Sequence, residues 1–146
     1  MTHTNISPYL FFSGRCEEAL EFYKKALGAE VSFVMRFNES PDPVPEGMLQ
    51  PGFETKIMHA TIAIQGTVMM ASDGCNDQAK FSGFSLALSY DNQDQAKQSF
   101  AALSEGGTIL MPIGPTFWSP CYGMVLDPFG VQWMVMVQEQ PVVNQE

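Results

Sequence analysis

The chain is short of positive charge: 7 Lys and Arg against 16 Asp and Glu leave a net charge of −9 over 146 residues. No basic run interrupts that balance. An acidic surface repels phosphate backbones and anionic lipids, so neither nucleic acid nor a membrane surface is expected as a partner. Cysteine is scarce, with Cys16, Cys75 and Cys121 far apart. No CxxC spacing exists to seed a structural zinc site, and an odd count argues against a disulfide framework. Long apolar runs are missing: the longest, such as Trp133 to Val137, hold about five residues where a bilayer span needs roughly 18–20. Met1 to Ser7 has neither a positive n-region nor an apolar h-region, so no secretory leader is expected. These lacks point to a soluble, reducing, cytoplasmic setting. What the chain does have is apolar content, 45% hydrophobic and 12% aromatic. That suffices for the core of one domain or of two small fused halves.

The first half reads as strand, helix, strand, long loop, strand, strand. Tyr9 to Phe12 is a short run of strand formers. From Glu17 to Leu27 the spacing predicts a helix, with Cys16, Leu20, Tyr23 and Leu27 in one stripe. Acids in its first turn, bases in its last and Gly28 beyond its end suit the helix dipole and a glycine cap. Glu30 to Phe37 reads as a strand with Val31, Phe33, Met35 and Phe37 on one face. The segment from Asn38 to Thr55 is rich in proline and glycine, and a loop of that length is either a functional lid or disordered. Ile57 to Gln65 and Thr67 to Ser72 are strands joined at Gly66. The second half repeats the order. Phe84 to Tyr90 alternates with a period of two. Asp91 and Asn92 offer an N-cap to a helix ended by Gly106-Gly107, with Gln95 as the capping-box partner. Thr108 to Ile113, Gly123 to Leu126 and Val131 to Val137 follow as strands. Two β-α-β-β-β units, joined between Asp73 and Ser82, give an α+β fold with helices outside the sheets.

Several strings narrow this further. Ser7-Pro8-Tyr9-Leu10-Phe11-Phe12 is followed by Cys16-Glu17-Glu18-Ala19, Phe22-Tyr23 and Leu27-Gly28-Ala29-Glu30. Later come Met58-His59-Ala60, Met70-Ala71-Ser72-Asp73, Thr116-Phe117-Trp118, Gly123-Met124-Val125, and Asp127 through Met134 with its Asp-Pro-Phe-Gly turn. Together, over about Ser7 to Val137, the chain resembles the PhnB-like branch of the vicinal oxygen chelate superfamily, which includes glyoxalase I and bleomycin-resistance proteins. The resemblance implies paired βαβββ modules around a cleft, commonly as a homodimer, and a small organic molecule as ligand. A methyltransferase label has attached to PhnB-like proteins. A nucleotide-derived methyl donor calls for a glycine-rich strand-to-helix loop, and none precedes either helix.

His59 is the one histidine within a strand; His3 lies near the terminus. It alternates with Thr61 and Ala63, opposite Ala60, Ile62 and Ile64. With the latter face on a helix, the imidazole looks into the cleft, where it can act as general acid or base. The plainer alternative is a structural histidine. Asp73 has three readings: it orients His59, holds a substrate hydroxyl, or simply caps a turn beside Gly74. Phe117 and Trp118 wall a pocket or close a core or dimer seam. Phe12, Met70, Ser85 and Met134 are expected to line the cleft. In metal-using relatives the ligands come from the first, fourth, fifth and eighth strands, and the resemblance puts Pro8, Met70, Ser85 and Met134 there. Proline, thioether and hydroxyl groups cannot replace imidazole and carboxylate donors, so no metal and no cofactor are expected. Cys121, with no cationic neighbour in sequence, reads as an inert thiol. The leading expectation is a small-molecule-binding protein, with metal-independent catalysis by His59 as its enzymatic form. A metal-dependent glyoxalase- or dioxygenase-type lyase or isomerase and a non-catalytic sequestering module are the alternatives.

Overall fold

A computed structural model describes residues 4–138. The chain divides into two compact units, Met1–Lys80 and Phe81–Glu146. The first contains β1 (Tyr9–Phe11), α1 (Cys16–Leu27), β2 (Glu30–Arg36), β3 (Ile57–Ile64) and β4 (Thr67–Ser72). The second contains β5 (Leu86–Tyr90), α2 (Gln93–Ser104), β6 (Thr108–Gly114), β7 (Tyr122–Leu126) and β8 (Gln132–Val137). Each unit is a four-stranded mixed sheet with one helix, and the strand orders β1-β4-β3-β2 and β5-β8-β7-β6 repeat. In both, the first strand runs parallel to the fourth and the other pairings are antiparallel. The fold is α+β.

In the first unit, α1 buries Cys16, Ala19, Leu20, Tyr23 and Leu27. They meet the buried face of β3, formed by Ala60, Ile62 and Ile64. Full burial of each large side chain contributes about 1.5–3 kcal/mol, so this interface carries much of the unit's stability. Gly28 ends the helix in the left-handed region at φ 67°, its amide bonded back to Lys24 and the next amide to Tyr23. The helix start has no side-chain cap of its own. Its cap is supplied by Asp73, from beyond the end of β4.

The alternation expected in β2 is broken. Val31 pairs with Ile62 and Phe33 with Thr61, so the register shifts between them, and it shifts again between Met35 and Arg36. The first shift puts an extra residue, Ser32, into β2 and turns that strand over; the second puts Met58 into β3. Val31 therefore lies in register with the helix-side row while Phe33 and Met35 lie with Thr61 and His59. Phe37 leaves the strand altogether and opens a 3₁₀ turn, Phe37–Glu39.

The proline-rich segment that follows is tied down at its far end. The Gln50 amide donates to the Cys75 carbonyl at 2.7 Å, and Phe53 is buried, its ring 3.5 Å from where a Cβ on Gly14 would lie.

In the second unit, α2 is capped by Asn92, whose side chain accepts from the Gln95 amide at 3.0 Å. Trp133, Val135 and Val137 of β8 form the buried side, while Gln132, Met134 and Met136 alternate with them.

Candidate functional site

The first sheet turns one face to α1 and leaves the other open. On the open face, Tyr9, Met70, Thr61 and Phe33 occupy one row across β1, β4, β3 and β2. The neighbouring row brings Phe11 beside Ser72 and His59 beside Met35. His59 is the polar centre of this face. Its Nδ1 lies 3.0 Å from the Tyr9 hydroxyl, and its Nε2 lies 3.4 Å from the Thr61 hydroxyl. The rings of Tyr9 and Phe33 flank it, with centroids at 5.6 and 5.9 Å. Tyr9 in turn stacks on Phe11 at 5.0 Å. Tyr9, Phe11 and Phe33 remain 38%, 45% and 45% exposed. Aromatic faces around a hydrogen-bonding centre provide what a small organic molecule needs for binding and orientation.

Tyr9 ionises less readily than a free phenol. Burial raises its pKa, as does the nearby Cys16, and the Ser72 hydroxyl partly offsets them. It therefore stays a hydrogen-bond donor well into alkaline solution.

Asp73 does not orient His59. Its side chain is buried, and three backbone amides occupy its oxygens: Gly14 at 2.8 Å and Cys16 at 2.7 Å on Oδ1, Ile57 at 2.8 Å on Oδ2. The carboxylate thus caps α1 and fastens the start of β3 to the end of β4. Of the three roles open to it in the sequence, it fills the structural one, though over a longer range than a turn. The place beside His59 belongs to Tyr9. Gly74 follows with φ 72°, and the Phe11 ring packs where its Cβ would be, at 3.3 Å, so only glycine fits there comfortably.

Phe12 lies on the wrong side for a ligand contact. It is buried against Tyr23 of α1, with centroids 6.1 Å apart. Its neighbour Phe11 is the residue on the open face. A three-residue strand is too short for its alternation to be read without its partner strand. Met70 is on the open face, in the row of Tyr9 and Thr61.

The other candidates are in the second unit. Ser85 immediately precedes β5 and is half-buried. Met134 stands in register with Met124 and Ala87, and Met124 with Met111, a row of thioethers across three strands. Phe117 is 96% exposed and meets Trp118 edge-on at 4.7 Å; Trp118 meets Tyr122 edge-on at 5.3 Å. The Asp-Pro-Phe-Gly turn is structural. Asp127 is buried, accepting the amides of Phe129 and Val131 on Oδ1 and the Trp133 indole N–H on Oδ2 at 3.0 Å.

Sequence reasoning missed Tyr9, Phe11 and Phe33. The signal was in the chain, as aromatic residues at alternate positions of β1 and β2. Using it required the parallel register of β1 on β4 and the bulge in β2.

Residues 5–135 match the model of the Glyoxalase/Bleomycin resistance protein/Dioxygenase superfamily. The chain belongs to that superfamily. Protein YjdN of Escherichia coli strain K12 is 38% identical over 145 residues, covering 93% of this chain and 97% of YjdN. The crystal structure of PA1353 from Pseudomonas aeruginosa superposes with a TM-score of 0.81 at 37% identity, covering 94% of this chain and 100% of that one. The PhnB protein from Bacillus cereus superposes with a TM-score of 0.75 at 28% identity, covering 92% and 99%.

Metal-using members of the superfamily set a test for this chain. Of the four strand positions that the resemblance assigns to ligands, Pro8 uses its carbonyl to accept the Met70 amide at 2.9 Å. Met70, Ser85 and Met134 carry no imidazole or carboxylate. Among the described residues no three His, Cys, Asp or Glu side chains come together. His59 has hydroxyl groups on both nitrogens. This donor set does not fit a divalent ion that prefers nitrogen and carboxylate ligands. The α1 N-terminus is equally unsuited to a phosphate or nucleotide, because Asp73 already holds its Gly14 and Cys16 amides.

Proposed function

We propose that this protein binds a small organic molecule on the open face of its first sheet, around His59, and does so without a metal ion. The observation that carries the reading is the Tyr9–His59 hydrogen bond at 3.0 Å, set among exposed aromatic rings. Tyr9 holds the imidazole so that its other nitrogen is available to a ligand. In the enzymatic form of the proposal, that nitrogen exchanges a proton with the bound molecule. We place the protein in the cytoplasm as a homodimer. Three free cysteines, two of them buried, fit a reducing compartment. Among the described residues no helix is long and apolar enough to cross a membrane.

The test is capture of molecules from a cytosolic extract on the immobilised protein, identified by mass spectrometry. A species retained by the wild type and lost from His59→Ala supports the reading; equal retention on both opposes it. Turnover of the captured molecule by the wild type and not by His59→Ala would establish catalysis. Retention without turnover would favour sequestration in the manner of the bleomycin-resistance proteins.

A further inference from the structure

We infer that the ligand of this face presents a neutral acceptor oxygen, such as a ketone or aldehyde carbonyl on an aromatic skeleton, to Nε2–H of His59. The inference rests on the reading of the first sheet's open face as the binding surface.

A neutral imidazole has one N–H and one bare nitrogen, and the group on one nitrogen decides what the other offers. Tyr9 is 3.0 Å from Nδ1. A phenol has a single hydrogen, and here burial keeps it in place. For Nδ1 to be the donor instead, the Tyr9 hydrogen would have to leave this contact for water or for the Ser72 hydroxyl. Ser72 Oγ already accepts the Gly74 amide at 2.8 Å. Its own hydrogen goes to the Ile57 carbonyl at 3.3 Å. Nδ1 is the side-chain acceptor that the structure sets against the Tyr9 hydroxyl, so the hydrogen points there and the imidazole proton resides on Nε2. The contact from Nε2 to Thr61 Oγ1, at 3.4 Å, is long for a hydrogen bond. Nε2–H is thus a donor whose present acceptor a ligand oxygen can better.

Charge then narrows the acceptor. The only charged residues within β1 to β4 are Glu30 and Arg36. The Arg36 guanidinium is engaged by Glu17 of α1 at 2.9 Å and by the Thr55 carbonyl at 2.8 Å. The face around His59 holds Tyr9, Phe11, Phe33, Met35, Thr61, Met70 and Ser72. It holds no cation to offset a carboxylate or phosphate, and the chain as a whole carries −9. A neutral carbonyl satisfies the donor without that cost, and a flat ring satisfies the aromatic faces.

The experiment has two arms, both on the full chain in ¹⁵N-histidine-labelled form, with His3→Asn distinguishing the two histidines. Long-range ¹⁵N–¹H spectra at mildly alkaline pH report the tautomer directly. The Nε2–H form is expected for His59, with the Nδ1–H form appearing in Tyr9→Phe. A dominant Nδ1–H form in the wild type overturns the inference, as does a Tyr9→Phe spectrum identical to it. In the second arm acetophenone, benzoate and toluene are titrated. Acetophenone is expected to shift the His59 ring signals and to bind about fivefold more tightly than toluene, as one net hydrogen bond allows. Benzoate should bind more weakly than acetophenone. Equal affinity for acetophenone and toluene, or preference for benzoate, overturns the acceptor assignment and leaves the face a binding surface. If none of the three shifts His59, Tyr9 or Phe33, the binding surface itself is wrong and the inference falls with it.

Discussion

The carboxylate of Asp73 accepts the amide of Ile57 at 2.8 Å while its other oxygen caps α1. One buried side chain thus joins a helix start and two strand ends. Asp73→Asn keeps the shape but puts an NH₂ group against one of the backbone donors. It should cost about 2–4 kcal/mol of stability, since charge-assisted bonds are lost and a buried amide loses its acceptor. Urea denaturation monitored by circular dichroism measures this. An unchanged midpoint would show that the clamp is not stabilising.

Cys16 gives stability an alkaline limit. Burial pushes its thiol well above the ordinary 9.0, and the Asp73 and Glu17 carboxylates add to the rise. Above that ordinary value the unfolded chain releases the thiol proton and the folded chain keeps it. The unfolded state then binds fewer protons, so stability falls as pH rises, by up to about 1.4 kcal/mol per pH unit. Below it the contribution is complete. Cys16→Ala should flatten the alkaline limb of a stability-against-pH curve; parallel curves for the two proteins would contradict this. Because Cys16 and Cys121 are buried, iodoacetamide should modify half-buried Cys75 well before either.

The two tryptophans report on different places. Trp133 is 2% exposed and bonded to Asp127, whereas Trp118 is 47% exposed. In Trp118→Phe the remaining emission should be blue-shifted and resist acrylamide. In Trp133→Phe it should be readily quenched, with a stability loss of about 1–2 kcal/mol from the Asp127 bond and the smaller ring. Similar quenching in both variants would mean that the Trp133 site is open to solvent.

Assembly is checked by light scattering. The proposed homodimer scatters at about 32 kDa, twice the 16.1 kDa chain. A monomer at micromolar concentration would contradict it.

Much of this architecture is legible in the sequence. β4 runs from Thr67 to Ser72, where the turn at Gly66 places it, and α1 ends where Gly28 says it should. His59 lies opposite Ala60, Ile62 and Ile64 because β3 keeps its alternation from His59 onward, its irregularity falling before it at Met58. The misreadings come where local pattern is not enough. Val31 and Phe33 look like one face until a bulge intervenes. Phe12 looks equivalent to Phe11 until the short β1 is laid against β4. Asp73-Gly74 looks like a turn because the amides it binds, at Gly14, Cys16 and Ile57, are remote in sequence. Tyr9 and His59 are 50 residues apart, and only the sheet brings them together.

The most direct test of the account is calorimetric. A molecule captured from extract is titrated into the wild type, Phe33→Ala and His59→Ala, with the melting temperature of each variant confirmed beforehand. Phe33 and His59 are half-buried or exposed, so both variants should fold. The account predicts that each weakens the Kd by about tenfold or more, as expected for side chains central to a small binding surface. A Kd unchanged in both variants would contradict it and move the binding site away from the open face of the first sheet.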